Sequence, residues 1–175
     1  PTFVTNLLSM GNNYNGQLGL GDRSNRVSPT QVGALSTWSS VARSTSSFVI
    51  AVQTDGTLWS WGNNGNGNLG LGNTTYYSSP KQVGSLTGWL LASGNYGSGY
   101  AIKTNGTLWA WGQNNTGQLG LGNRTAYSSP KQVGLLTNWA DIIGGNGWAV
   151  ALKTDGTLWT WGYNDQGQLG DGTVA

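Results

Sequence analysis

The sequence predicts an all-β fold, a β-propeller built from four-stranded antiparallel blades, and three observations carry that prediction. One unit recurs, as Gln53-Thr-Asp-Gly-Thr-Leu-Trp-Ser-Trp-Gly62, Lys103-Thr-Asn-Gly-Thr-Leu-Trp-Ala-Trp-Gly112 and Lys153-Thr-Asp-Gly-Thr-Leu-Trp-Thr-Trp-Gly162. Its interval is nearly constant: Met10, Trp61, Trp111 and Trp161 each precede a glycine, at spacings of 51, 50 and 50 residues. Helical signals are missing, because no stretch of about ten residues keeps a 3.6-residue apolar period free of Gly or Asn. Four short strand candidates in a repeat of roughly 50 residues are the pattern of a propeller blade, a sheet that needs neighbours to bury both faces.

Taken in order, residues 1–28 read as the last strand of a preceding blade (Thr5 to Gly11) and its loop. Blade repeats follow at 29–79, 80–129 and 130–175, the last running into the start of a further loop. Pro29, Pro80 and Pro130 each open a Pro-x-Gln-Val-Gly strand, and Trp38, Trp89 and Trp139 follow at matching distances. In the third repeat the four strands are expected at Lys131 to Gly134, Trp139 to Gly144, Trp148 to Thr154 and Thr157 to Gly162. Trp148 to Lys153 mixes large and small residues with little polarity, as a strand covered on both faces does. Trp148 is aligned with Tyr100 and given a structural role. Asp155-Gly156 is expected to close a two-residue hairpin with both residues at positive φ. The Trp-x-Trp pairs 59/61, 109/111 and 159/161 place both rings on one strand face, suited to packing between blades. Three sets of four strands plus a stray strand would leave two raw faces and unpaired edges. The expectation is therefore a segment of a longer propeller, or a ring closed by other chains.

Composition narrows the chemistry. Thirty glycines and ten tryptophans accompany only 8% charged residues, and the net charge is +2. All six acids are Asp, and the eight bases are scattered, so no basic run marks a nucleic-acid partner. Without His or Cys the usual bases, thiol nucleophiles and zinc ligands are missing. Asp55 and Asp155 occupy the slot that Asn105 fills in the middle repeat, an interchange suited to a turn and not to proton transfer. Leu119-Gly-Leu-Gly122 lacks the following helix that a dinucleotide site needs, and the loops lack the dense carboxylates of a calcium site. No cofactor or metal is expected. No apolar run reaches spanning length, so membrane insertion is not expected either.

The unit Asp-Gly-Thr-Leu-Trp-x-Trp-Gly-x-Asn-x-x-Gly-Gln-Leu-Gly resembles the repeat of the regulator of chromosome condensation family. Asp155 to Gly172 matches closely, with Asn105 to Gly122 and Asp55 to Gly72 nearly as close. The first copy is degenerate, with Leu8-Ser9-Met10-Gly11 in place of Leu-Trp-x-Trp-Gly. The resemblance spans essentially the whole chain and implies a seven-bladed ring. It also implies a choice of roles: an exchange factor for a small nuclear GTPase, a module of a multidomain protein, or a secreted bacterial protein that inhibits enzymes by binding them. The chain has no basic N-terminal tail, and its low charge and uniform copies look more like the bacterial or viral members.

Positions shared by all copies build the blade, so function is expected where copies differ. The stretch before each proline varies most, and it supplies Arg23, Arg26, Tyr76, Tyr77, Arg124 and Tyr127, residue types enriched at binding hot spots. The expected role is a non-enzymatic structural or protein-binding module, with a protein partner or neighbouring subunits. Its expected setting is extracellular, on a cell surface or in a virus particle. The leading alternative is a carbohydrate-binding propeller that uses exposed Tyr76, Tyr77 and Tyr127; a guanine nucleotide exchange factor is third.

Overall fold

The computed structural model describes residues 6–34, 37–42 and 47–174, and every regular element among them is a strand. In chain order these are β1 (Leu8–Gly11), β2 (Arg26–Gln31), β3 (Trp38–Val41), β4 (Phe48–Gln53), β5 (Leu58–Gly62), β6 (Tyr77–Gln82) and β7 (Trp89–Gly94). They continue with β8 (Ser98–Lys103), β9 (Leu108–Gly112), β10 (Tyr127–Gln132), β11 (Trp139–Gly144), β12 (Trp148–Lys153) and β13 (Leu158–Gly162). Two sheets are complete four-stranded meanders, β3-β4-β5-β6 and β7-β8-β9-β10. They are flanked by a two-stranded sheet, β1-β2, and a three-stranded one, β11-β12-β13.

Sheet and sequence repeat are out of phase. The Pro-x-Gln-Val segment was expected to open each blade; instead it pairs antiparallel with the preceding Trp-x-Trp strand, or with its degenerate counterpart β1, and closes the blade before it. The first sheet is accordingly two strands and not one stray strand, and the last holds three. Thr5 lies outside the described residues. Proline explains the placement. It has no N–H for a ladder, so it belongs on an outer edge, and the pairing register slips across it, between Tyr127 and Lys131 in the second complete blade. The strand begins at Tyr127, four residues before the expected start at Lys131. Trp148 also needs correction: it pairs with Gly162 as Phe48 does with Gly62 and Ser98 with Gly112, so Phe48 and Ser98 are its counterparts and Tyr100 is not.

The hairpins between second and third strands differ in kind from the two-residue turn. Gly56, Gly106 and Gly156 have φ of 77°, 74° and 83°, while among the described residues no non-glycine residue has positive φ. The Gly56 amide donates to Gln53 O and the Gln53 amide to Thr57 O, which makes a three-residue loop, Thr54-Asp55-Gly56, with a glycine bulge. Asp55 stays at negative φ because its carboxylate has other work. Its Oδ1 accepts from the Thr57 amide at 2.9 Å and from Thr57 Oγ1 at 2.7 Å, and that hydroxyl accepts from Trp59 Nε1 at 2.8 Å. Asn105–Thr107–Trp109 and Asp155–Thr157–Trp159 repeat the relay. An amide oxygen serves as well as a carboxylate, which is why Asn and Asp interchange here.

Blades lock together through the second tryptophan of each pair. Trp61 Nε1 donates to Gln17 O, Trp111 Nε1 to Asn68 O and Trp161 Nε1 to Gln118 O, each reaching into the glycine-rich loop of the previous blade. Glycine makes the socket: a Cβ on Gly70 would lie 2.9 Å from Trp111 Nε1, and one on Gly120 the same distance from Trp161 Nε1. The other strand face looks forward. Leu58 and Leu108 are fully buried against the next blade, whereas Leu158, at the same position in the last sheet, is 69% exposed. The raw face expected at that end is present, and β1-β2 leaves Leu8 and Met10 exposed at the other. The apolar core is thus three seams between successive sheets.

Candidate functional site

Antiparallel meanders put the first-to-second and third-to-fourth connections of every blade at one end of the sheets, and the Asp-Gly hairpins at the other. The first end carries the glycine-rich loops and the variable tips. Each loop is organised by one asparagine two residues after the Trp-Gly, or Met-Gly, step: Asn13, Asn64, Asn114 and Asn164, all buried. Asn114 Nδ2 donates to Asn123 O at 3.0 Å and Thr125 O at 2.9 Å, while its Oδ1 accepts from the Leu119 amide at 2.9 Å. Asn13 and Asn64 repeat the pattern residue for residue. A single amide therefore ties the inner loop to the outer tip and satisfies backbone groups that no strand reaches.

The six residues singled out at the tips divide into two sets. Arg26, Tyr77 and Tyr127 stand four residues after Asp22, Asn73 and Asn123, and each holds that residue. Arg26 pairs with the Asp22 carboxylate, whereas the Tyr77 and Tyr127 hydroxyls accept from Asn73 and Asn123 Nδ2 at 3.3 and 3.4 Å. The lock changes chemistry in step: acid with guanidinium, amide with phenol. The Arg26 hydrogen bond holds the Asp22 carboxyl below its ordinary 3.8. The rings of Tyr77 and Tyr127 are further occupied by Lys81 and Lys131, whose ammonium groups lie 5.6 and 5.4 Å from the centroids. Arg23, Tyr76 and Arg124 are exposed at the tips. Arg23 lies 6.0 Å from the Tyr76 ring centroid, so the first two tips meet across a seam, and Arg124 borders a cleft with Thr116, Tyr163 and Asp165.

One feature of this end escaped the sequence reading. The turn between first and second strands also varies, as Ser93-Gly-Asn-Tyr-Gly-Ser98 against Ile143-Gly-Gly-Asn-Gly-Trp148. Between the second complete blade and the last sheet it opens a pocket of about 280 Å³ lined by Tyr96, Gln113, Asn115, Thr116, Asn146 and Tyr163, among others. The signal was there, since the copies differ; it was masked by glycine, which read as plain connection.

The Regulator of chromosome condensation (RCC1) repeat matches the chain four times, over residues 6–50, 55–94, 105–152 and 155–175. The chain belongs to that repeat family. Over 81 residues, 46% of the chain, it is 38% identical to the ultraviolet-B receptor UVR8 of Arabidopsis thaliana, of which this covers 18%. Human WBSCR16 superposes with a TM-score of 0.86 at 25% identity, over 98% of this chain and 46% of that one. Prp20p from Saccharomyces cerevisiae, characterised for its binding to Gsp1p and histones, superposes with a TM-score of 0.83 over 97% of this chain and 44% of its own. At 18% identity that likeness is one of fold. The chain spans less than half the length of each of these proteins. An open arc of propeller sheets is what such a span predicts, and it is what the strands form.

Proposed function

We propose that this chain is a non-enzymatic binding module that presents the end bearing the glycine-rich loops to a protein partner. The observation that carries the reading is the division at the tips. Arg26, Tyr77 and Tyr127 are consumed in holding the loops, while Arg23, Tyr76 and Arg124 are exposed on the frame so made, Arg23 set against the Tyr76 ring. Preorganised side chains lose little entropy on binding, and Arg and Tyr are the types that dominate interface energetics. Prp20p's binding to Gsp1p and histones, and the complex of yeast RCC1 (Prp20) with Kap60, support a protein-binding role for a fold of this kind. Among the described residues no group of three or more acids, histidines or cysteines could hold a metal ion. The Asp55 and Asp155 carboxylates are engaged by Thr57 and Thr157. The opposite end is the rival surface, because it exposes Leu86, Leu135 and Leu136.

The test is site-specific photo-crosslinking in the native host, with the reactive residue at Tyr76 or Arg124 in one pair of variants and at Leu86 or Leu135 in another. The proposal predicts a shared protein adduct at the first pair and none at the second. Adducts confined to the leucines would reverse the assignment of the binding end.

A further inference from the structure

The pocket between the second complete blade and the last sheet has chemistry of its own. Its lining residues include no charged side chain, so neither an anion nor a metal cation finds a counter-charge there. Its walls are instead amides and phenols. Gln113, Asn115 and Asn146 bring side-chain amides, Tyr163 flanks one side from just beyond β13, and Tyr96, 75% exposed, flanks the other. Among the described residues no hydrogen bond engages the side chains of Tyr96, Gln113 or Asn146, so their donors and acceptors are available. The floor, by contrast, is fixed. Asn95 Oδ1 accepts from the Ser98 amide at 2.8 Å, the buried Tyr100 hydroxyl donates to Gln118 O at 2.9 Å, and Thr116 Oγ1 bonds Gly147 O across the seam at 2.8 Å. Beside the Tyr163 hydroxyl, the Asp165 carboxylate pushes the phenol's pKa up.

The copies diverge at this site. Tyr163 stands where the other copies have Gln113, Asn63 and Asn12, and Asn146 where the preceding blade has Tyr96. Blade construction demands none of these residues. A neutral pocket with amide donors and acceptors between aromatic rings on a fixed floor suits a sugar ring. Adjacent hydroxyls of a sugar ring each donate and accept, as carboxamides do, and the ring's C–H face packs on a phenol.

We infer that this pocket binds a neutral carbohydrate, one sugar ring held by Gln113, Asn115 and Asn146 against Tyr163. The sequence pointed to Tyr76, Tyr77 and Tyr127 for a sugar, but Arg23 lies over the first ring and lysines over the other two. The inference does not rest on the protein-binding reading: cross-links at the tips can succeed while this site fails, and the reverse.

The test is NMR titration of the ¹⁵N-labelled chain with glucose, galactose, mannose and N-acetylglucosamine separately, with glycerol as the control polyol. At least one sugar is expected to shift the side-chain amide signals of Gln113, Asn115 and Asn146 saturably, with Kd on the order of 1 mM, as suits a single shallow site. Tyr163→Ala should weaken that sugar at least about tenfold, while Tyr163→Phe, which keeps the ring, should retain it. Gly97→Ala supplies a second variant. Gly97 is not at positive φ, and its added Cβ would meet Gln113 Oε1 at 2.6 Å and Asn66 Nδ2 at 2.9 Å, flexible ends that can move at the expense of the pocket. Loss of binding with an otherwise unchanged spectrum is the expected result. The inference is overturned if no sugar shifts these signals, if glycerol shifts them equally, or if Tyr163→Ala and Gly97→Ala both bind as the parent does. It is overturned too if only an Asn- or Gln-containing peptide occupies the pocket.

Discussion

Replacing Gly70 with alanine tests the joint that holds successive sheets together. Two costs are expected. Gly70 has φ of 73°, and a side chain held in the left-handed region costs roughly 1–2 kcal/mol. The added Cβ would also stand 2.9 Å from Trp111 Nε1, displacing an indole that is fully buried and that donates to Asn68 O at 2.9 Å. Leaving that N–H without its acceptor costs a further 1–3 kcal/mol or so, for about 2–5 kcal/mol in all. Gly170 is the internal control. Its φ is 66°, yet nothing lies within 4 Å of its Cβ position, so Gly170→Ala should cost only the conformational part, about 1–2 kcal/mol or less. Urea denaturation followed by tryptophan fluorescence measures both, provided the slope with denaturant is unchanged. Equal losses for the two variants would refute the claim that tryptophan-in-glycine sockets join the blades.

Three further outcomes follow from the same structure. Leu108→Ala, at a fully buried position, should cost about 2–5 kcal/mol, and Leu158→Ala, 69% exposed on the raw face, within about 0.5 kcal/mol of nothing; similar losses in urea melts would contradict the assigned seams. Asn114→Ala should cost about 2–4 kcal/mol and raise amide exchange at Leu119, whose N–H loses its acceptor; unchanged exchange there would remove the staple from the account. The Thr57 and Thr157 hydrogen bonds depress the Asp55 and Asp155 carboxyls below 3.8. A depressed carboxyl contributes stability above its unfolded pKa and loses it as pH falls through the folded one. The double variant Asp55→Asn/Asp155→Asn should therefore show a shallower loss of stability on acidification below about pH 4, and an unchanged acid slope would count against that role.

The parts of the fold legible in the sequence were those with a local signature. Strand type, the repeat interval and the packing role of the Trp-x-Trp pairs follow from spacing alone. Strand grouping was not local. Whether Pro80 to Gln82 opens one blade or closes another depends on which neighbour its backbone meets, and sequence order favours neither; proline's preference for an edge was the clue. The hairpin was misread because Asp-Gly satisfies two turn types, and only the Thr57 hydroxyl, bonded to Asp55 and Trp59, distinguishes them. At the tips, variability pointed to these loops but could not separate Arg23 and Tyr76 from Arg26 and Tyr77. That distinction rests on what stands four residues earlier. The pocket at Tyr96 and Tyr163 joins two blades through residues about 67 apart, beyond the reach of any local pattern.

The measurement that bears most directly on the account is the affinity of the cross-linked partner for two triple variants. One is Arg23→Ser/Tyr76→Ser/Arg124→Ser at the tips; the other is Leu86→Ser/Leu135→Ser/Leu136→Ser at the opposite end. The account predicts at least about a hundredfold loss for the first, the scale of removing two or three interface anchors, and no change for the second. A partner that binds the tip variant undiminished and loses the leucine variant would contradict it.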